Sequence, residues 1–176
     1  MKKKIMMSCI AVLMAFSLIA CGTGTKETVS KGPEGALSDI IDKIYEEKST
    51  ELALATTDID ISDTEALQYY TGLSDNSKIK EASVSEAMIS ALAYSMALVR
   101  VNDSKDTKAV AEEMLNGINP NKWICVFADD VKAVGAGDTI LLIMTSTSYA
   151  DTVTADNIVK AFETVCGGKT DFTLNK

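Results

Sequence analysis

Two segments of the chain are apolar on both faces of a strand, and they constrain the fold more than any other feature. In residues 92–101, large apolar side chains alternate with Ala, Ser and Val, and residues 139–145 are apolar at almost every position. A strand of this kind belongs in the middle of a sheet whose two faces are both covered. The sequence therefore predicts a sheet core with helices packed on it.

Helical patterns and turn signals supply the rest of the fold. Apolar stripes at helical spacing predict helices at residues 37–47, 104–117 and 150–166, and Asp63 or Thr64 is expected to cap a shorter helix that ends at Gly72. Further strands are predicted at residues 57–61, 79–88, 123–127 and 131–134, and residues 135–138 read as a hairpin turn. We expect an α+β single domain with a mostly antiparallel β-sheet and packed α-helices.

Residues 1–20 have the pattern of a secretory signal peptide, and positions 18–21, Leu-Ile-Ala-Cys, resemble the lipobox of bacterial lipoproteins. In such proteins the Cys21 thiol receives a diacylglyceryl group and the chain is cut before it. Two acyl chains anchor a protein stably, at about 0.8 kcal/mol per buried methylene. A cleaved signal with an incidental cysteine, or an uncleaved anchor, are the alternatives. We expect lipid anchoring at the extracytoplasmic face of the cell membrane.

Composition divides the remaining chain into a tether and a domain. Residues 21–36 are rich in Gly, Thr and Ser and lack hydrophobic periodicity, so they are expected to form a lipidated flexible tether ahead of the domain at residues 37–176. Removing three lysines with residues 1–20 from the 17 basic residues leaves 14 against 25 acidic ones, a net charge of −11. Such a surface repels nucleic acid, which is not expected as a partner.

The chain has no histidine, and this excludes Ser-His-Asp and Cys-His nucleophiles and histidine metal ligands. The densest acidic cluster, residues 58–65, lacks the glycine and glutamate of a calcium loop and reads as a strand that leads into a helix cap. The sequence predicts no catalytic residue, no metal site and no cofactor. For Cys125 and Cys166, a disulfide and two buried free thiols both remain open.

The segment Asn-Pro-Asn-Lys-Trp at residues 119–123 is the best candidate for ligand binding. Trp123 is the single tryptophan, and it can serve as a stacking platform for a sugar or an aromatic ligand with Lys122 and the Asn119 and Asn121 side chains as polar partners, or as a core anchor. Of the adjacent pair Tyr69 and Tyr70, one is expected to pack and the other to be exposed. Arg100, between two valines, is expected to be partly buried and paired with an acid on a neighbouring strand.

Several of these segments together resemble a known family. Residues 69–73, 93–101, 118–126 and 137–138 are similar to the domain of unknown function 4358 family, small exported lipoproteins mostly of anaerobic Gram-positive bacteria. The family has no assigned activity, so the resemblance implies localisation and a single domain only. We expect a non-catalytic binding or scaffolding module for an envelope protein or a small ligand. An envelope enzyme that uses carboxylates on a wall-derived or small-molecule substrate is the alternative.

Overall fold

A six-stranded sheet runs through residues 30–176, the part of the chain that the computed structural model describes. Its strands are β1 (Leu54–Ile59), β2 (Ile79–Ala87), β3 (Tyr94–Val101), β4 (Asp130–Ala136), β5 (Thr139–Thr145) and β6 (Phe172–Asn175). Their order is β1-β2-β3-β5-β4-β6, and every neighbouring pair is antiparallel. The predicted α+β fold is confirmed. The predicted signal peptide and Cys21 lie outside the described residues.

The two strands predicted to be central, β3 and β5, pair with each other in the middle of the sheet and are buried along their whole length. Helices α2 (Thr64–Thr71) and α3 (Thr107–Gly117) cover one face, which we call the first face. Helices α1 (Leu37–Glu47) and α4 (Ala155–Val165) cover the second face. Each face therefore carries its own hydrophobic core, because side chains of one strand alternate between the faces.

The predicted helix ends of α2 are confirmed by its caps. The Asp63 side chain accepts hydrogen bonds from the backbone N–H groups of Glu65 and Ala66. At the other end Gly72 has a φ of 81°, the left-handed conformation that glycine adopts most readily. Single-turn 3-10 helices, Ser104–Asp106 and Thr147–Tyr149, precede α3 and follow β5.

The strand predicted at residues 123–127 is wrong, because this segment is part of a loop, residues 118–129. Cys125 has a φ of 64°, which no extended strand contains. Both sides of β4, the strand that follows the loop, are already occupied by β5 and β6, so the apolar run has no sheet edge beside it to join. The short strand β6 escaped prediction because Phe172–Asn175 has only two apolar positions.

Residues 30–36, the second part of the predicted tether, lie against the domain, and we call them the strap. The Arg100 guanidinium donates hydrogen bonds to the carbonyls of Pro33 and Gly35, both at 3.0 Å, and pairs with Glu81, which is directly opposite on β2. Arg100 is buried, as the sequence predicted. Residues 30–36, which were predicted to belong to the tether, are therefore bound to the folded domain.

The sheet has two distinct ends. At the strap end, Gly137 and Asp138 connect β4 to β5, and Asp171 binds the backbone N–H groups of both Ser30 and Gly137. At the loop end, about 20 Å away along β5, Thr145 pairs with both Tyr94 and Asp130. Within residues 30–176 no helix has the length and hydropathy needed to cross a membrane.

Candidate functional site

Loop 118–129 folds over the first face at the loop end of the sheet, and Lys122 is the residue that fastens it there. Glu86 on β2 and Ser95 on β3 are direct partners across the strands. Glu86 lies two residues from Val84 and Ser95 two residues from Ala97, so both side chains point to the first face, where Val84 and Ala97 are core residues. The register therefore places a carboxylate and a hydroxyl side by side beneath the loop.

Lys122 makes a buried ion pair in this position. Its Nζ lies 2.6 Å from Glu86 Oε1 and donates to Ser95 Oγ at 3.3 Å. The Lys122 side chain is only 2% exposed, and burial lowers its pKa, while the Glu86 carboxylate acts in the opposite direction. The positive charge of Lys122 is therefore compensated by the Glu86 carboxylate inside the protein.

Three aromatic rings complete the surroundings of the Lys122 ammonium. Nζ lies 4.6 Å from the ring centroid of Tyr69 and 5.3 Å from those of Tyr70 and Trp123. Such cation–π contacts each contribute on the order of 0.5–2 kcal/mol, depending on desolvation. The two tyrosine rings meet edge to face, 4.9 Å apart. Lys122 thus joins the loop, the C-terminal end of α2 and the sheet in one cluster.

The structure brings together the three residues predicted to bind a ligand, Tyr69, Lys122 and Trp123, but it distributes their roles differently. Trp123 is half-buried against the core of the first face, as expected if it anchors the loop to the core. Tyr70 packs against the same core, whereas Tyr69 is 47% exposed, so the prediction for the tyrosine pair is confirmed. The ring available for stacking is therefore that of Tyr69.

An open cleft of about 490 Å³ lies beside Tyr69, between α2 and loop 118–129. It is lined by Glu65, Gln68, Tyr69, Gly117, Asn119, Asn121 and Lys122. Glu65, Gln68 and the role of Glu86 were not predicted from the sequence. For Glu65 and Gln68 the available signal is helical spacing, because they and Tyr69 recur at i, i+3 and i+4 on the exposed side of α2.

Two glycines hold the walls of this cleft close together. A Cβ on Gly117 would lie 2.0 Å from the Gly72 carbonyl oxygen, and one on Gly72 would lie 2.5 Å from Met114 O and Ile118 N. The ends of α2 and α3 are thus in backbone contact. Only glycine allows this approach, and it sets the distance between Tyr69 and the loop.

Cys125 and Cys166 are both free thiols, so the disulfide alternative for this pair is not realised. Cys125 is exposed in the loop at the loop end of the sheet, whereas Cys166 follows α4, near the strap end, and packs on the second face. The sheet separates them, beyond the reach of a disulfide. Burial, with the nearby Asp171 and Glu163, raises the pKa of Cys166 to about 12.

Acidic residues do not converge on the cleft. Among residues 30–176 no group of three or more Asp, Glu or Cys side chains could hold a metal ion. Where a carboxyl pKa departs from its ordinary value, it is lowered. The cause is a hydrogen bond that the carboxylate accepts from a serine, a threonine or a backbone N–H group, or the contact with a lysine. These carboxyl groups belong to Glu34, Asp60, Asp75, Asp103, Asp129 and Asp156.

Comparison of the chain with protein-family models, with curated proteins and with solved structures gave no match.

Proposed function

We propose that the chain is a lipid-anchored protein of the extracytoplasmic face of the cell membrane, whose domain is a non-catalytic module that binds an uncharged sugar in the Tyr69 cleft. The observation that carries the proposal is the composition of the cleft. An exposed aromatic ring stands beside three carboxamide side chains, those of Gln68, Asn119 and Asn121.

The donors and acceptors of the cleft match sugar hydroxyl groups. Each carboxamide carries two N–H donors and a carbonyl acceptor, and a hydroxyl both donates and accepts. The Asn119 side-chain carbonyl already accepts from the backbone N–H of Asn121 at 3.0 Å, which holds its side chain in place. An exposed tyrosine ring supplies a flat apolar surface on which the C–H face of a sugar ring can stack. A few polar groups around an aromatic surface is the usual make-up of a small-ligand site.

The charges of the cleft favour an uncharged ligand over an anion. The positive charge of Lys122 is covered and paired with Glu86. The other charged side chain that lines the cleft is the carboxylate of Glu65, which is exposed. Because like charges repel, a phosphate or carboxylate ligand gains nothing here.

Two features favour binding over catalysis. A lysine nucleophile or base needs an accessible, unpaired amine, and Lys122 is neither accessible nor unpaired. Catalysis by a carboxylate pair needs two convergent acids, and among the residues that line the cleft Glu65 is the one acid.

The anchoring part of the proposal is supported by the lipobox at residues 18–21 and by the resemblance to exported lipoproteins. Replacing Cys21 by alanine removes the thiol that is acylated. We expect C21A to lose labelling by a radioactive fatty acid and to leave the membrane fraction of the producing cells. Unchanged labelling and membrane retention would contradict lipid anchoring.

The ligand part is tested by calorimetric titration of the protein with N,N′,N″-triacetylchitotriose, a soluble uncharged oligosaccharide that is called chitotriose below. We expect saturable binding that Tyr69→Ala abolishes or weakens by about tenfold or more, as loss of 1.4 kcal/mol implies. Phe127→Ala is the matched control, because Phe127 is an exposed ring on loop 118–129 but outside the cleft lining. Equal binding by the Tyr69 variant and the wild type would refute the assignment of the cleft.

A further inference from the structure

Large apolar side chains are exposed at the loop end of the sheet, on two segments outside the cleft. Met88 and Ile89 follow β2, and Ile124 and Phe127 lie on loop 118–129; each is more than half exposed. We call these four residues the apolar tip. Apart from Tyr69, they are the large hydrophobic side chains that stand out as exposed among residues 30–148 and 150–176.

The Lys122 ion pair brings the two segments of the apolar tip side by side. Glu86 lies two residues before Met88, and Lys122 lies two residues before Ile124, while their charged atoms are 2.6 Å apart. Two residues of extended chain span about 7 Å. The two segments therefore meet at the loop end of the sheet, and exposed apolar residues that share one end of a domain mark an interaction site more often than scattered single residues do.

The apolar tip is on the far side of the domain from the strap. Ser30, the first described residue, donates its backbone N–H to Asp171 at the strap end, about 20 Å from the loop end along β5. The strap and the apolar tip therefore lie at opposite ends of the sheet.

Charges around the apolar tip are acidic. The connecting segments at the loop end carry Glu51, Asp129 and Asp151 exposed to solvent. Their basic residues are Lys48, which is half-buried, and Lys122, which is paired with Glu86. An acidic rim repels a second copy of the same surface and anionic lipid headgroups alike, and it attracts Lys and Arg side chains.

We propose that the apolar tip docks a protein of the cell envelope through a face that is apolar at its centre and basic at its rim. Apolar contact supplies the affinity of such a complex, and the charge pattern supplies its specificity and rate of association. The proposal does not depend on a ligand in the Tyr69 cleft.

The test is photocrosslinking in cells that produce the full lipidated chain. A benzophenone amino acid at position 127 is expected to give one discrete adduct with another protein, whose crosslinked peptide is apolar and flanked by Lys or Arg. The same probe at Lys169, exposed near the strap end, is the position control. An adduct of twice the chain's mass, an adduct with lipid, or no adduct would each overturn the proposal.

Two variants test whether the adduct depends on the stated chemistry. Ile124→Ser is expected to remove most of the adduct, and Glu51→Lys with Asp151→Lys to reduce it several-fold, as does added salt. Glu112→Lys, an exposed reversal within α3 and outside the connecting segments of the loop end, serves as the charge control. All these positions are at the surface, so thermal unfolding is expected to be unchanged. An adduct that resists both the apolar and the charge variants would overturn the proposal.

Discussion

At the scale of single residues, Lys122 determines how the site is built. A lysine with a covered side chain is stable only where its charge is compensated, and here a carboxylate, a hydroxyl and three aromatic rings surround it. Its role is to fix loop 118–129 over the sheet. The groups that we propose to contact a ligand are therefore Tyr69 and the carboxamides of Gln68, Asn119 and Asn121.

Replacing Lys122 by methionine leaves the Glu86 carboxylate near the core without its partner. We expect the free energy of unfolding to fall by about 3 kcal/mol, because a buried charge that loses its counter-charge is costly. Adding Glu86→Gln to the Lys122→Met variant is expected to restore most of the loss. Urea unfolding of the wild type, both single variants and the double variant gives the coupling energy. Additive effects of the two substitutions would contradict the ion pair.

The two thiols are expected to react at different rates. Cys125 is exposed, whereas Cys166 is half-buried with a pKa of about 12, and the reactive form is the thiolate. In the native protein at neutral pH, maleimide should modify Cys125 well before Cys166. Peptide mapping by mass spectrometry measures both sites. Recovery of a peptide pair linked through Cys125 and Cys166 would show that the bridge forms after all.

At the scale of elements, the contact between α2 and α3 shapes the cleft. Gly117→Ala would place a methyl group against the Gly72 carbonyl, and the two backbones would have to separate. We expect a loss of at least about 2 kcal/mol in the free energy of unfolding, together with weaker ligand binding. Asn116→Ala, at an exposed position of the same helix, is the control. An unchanged thermal midpoint for G117A would contradict the close approach.

The elements also show what could be predicted from the sequence. The central strands, the caps of α2 and the pairing of Arg100 follow from local patterns, namely apolar alternation, an Asp before a helix, and a charge within an apolar strand. Loop 118–129 does not, because the same apolar run fits a strand or a loop, and only the occupied edges of β4 decide between them. The partnership of Lys122 with Glu86 depends on strand register, which no local pattern contains.

At the scale of the whole molecule, a buried tyrosine network limits stability in alkali. Tyr94 is buried in the second core, and its hydroxyl lies 3.1 Å from that of Tyr45, which donates to Ser85. Burial raises the pKa of Tyr94 well above its ordinary value and raises that of Tyr45 as well. The folded state therefore holds these protons more tightly than the unfolded chain does.

The sign of the pH effect follows from this difference. Below about pH 10, where an unfolded tyrosine keeps its proton, the full stability is present; above it, the unfolded chain ionises first and stability falls. We expect Tyr94→Phe to cost about 1 kcal/mol at pH 8 and to flatten the decline above pH 10. Urea unfolding of the wild type and of Tyr94→Phe, at pH 8 and above pH 10, measures both effects. An equally steep decline in the variant would contradict the assignment to Tyr94.

Residues 30–176 form three separate regions: a strap at one end of the sheet, a cleft on the first face, and an apolar tip at the other end. The cleft is the centre of the account, and nuclear magnetic resonance of its side-chain amides tests it most directly. On titration with chitotriose, the NH₂ signals of Gln68, Asn119 and Asn121 are expected to shift together and to saturate, while that of Asn116 stays in place. Shifts spread evenly over these four signals, or no shifts, would contradict a sugar site in the Tyr69 cleft.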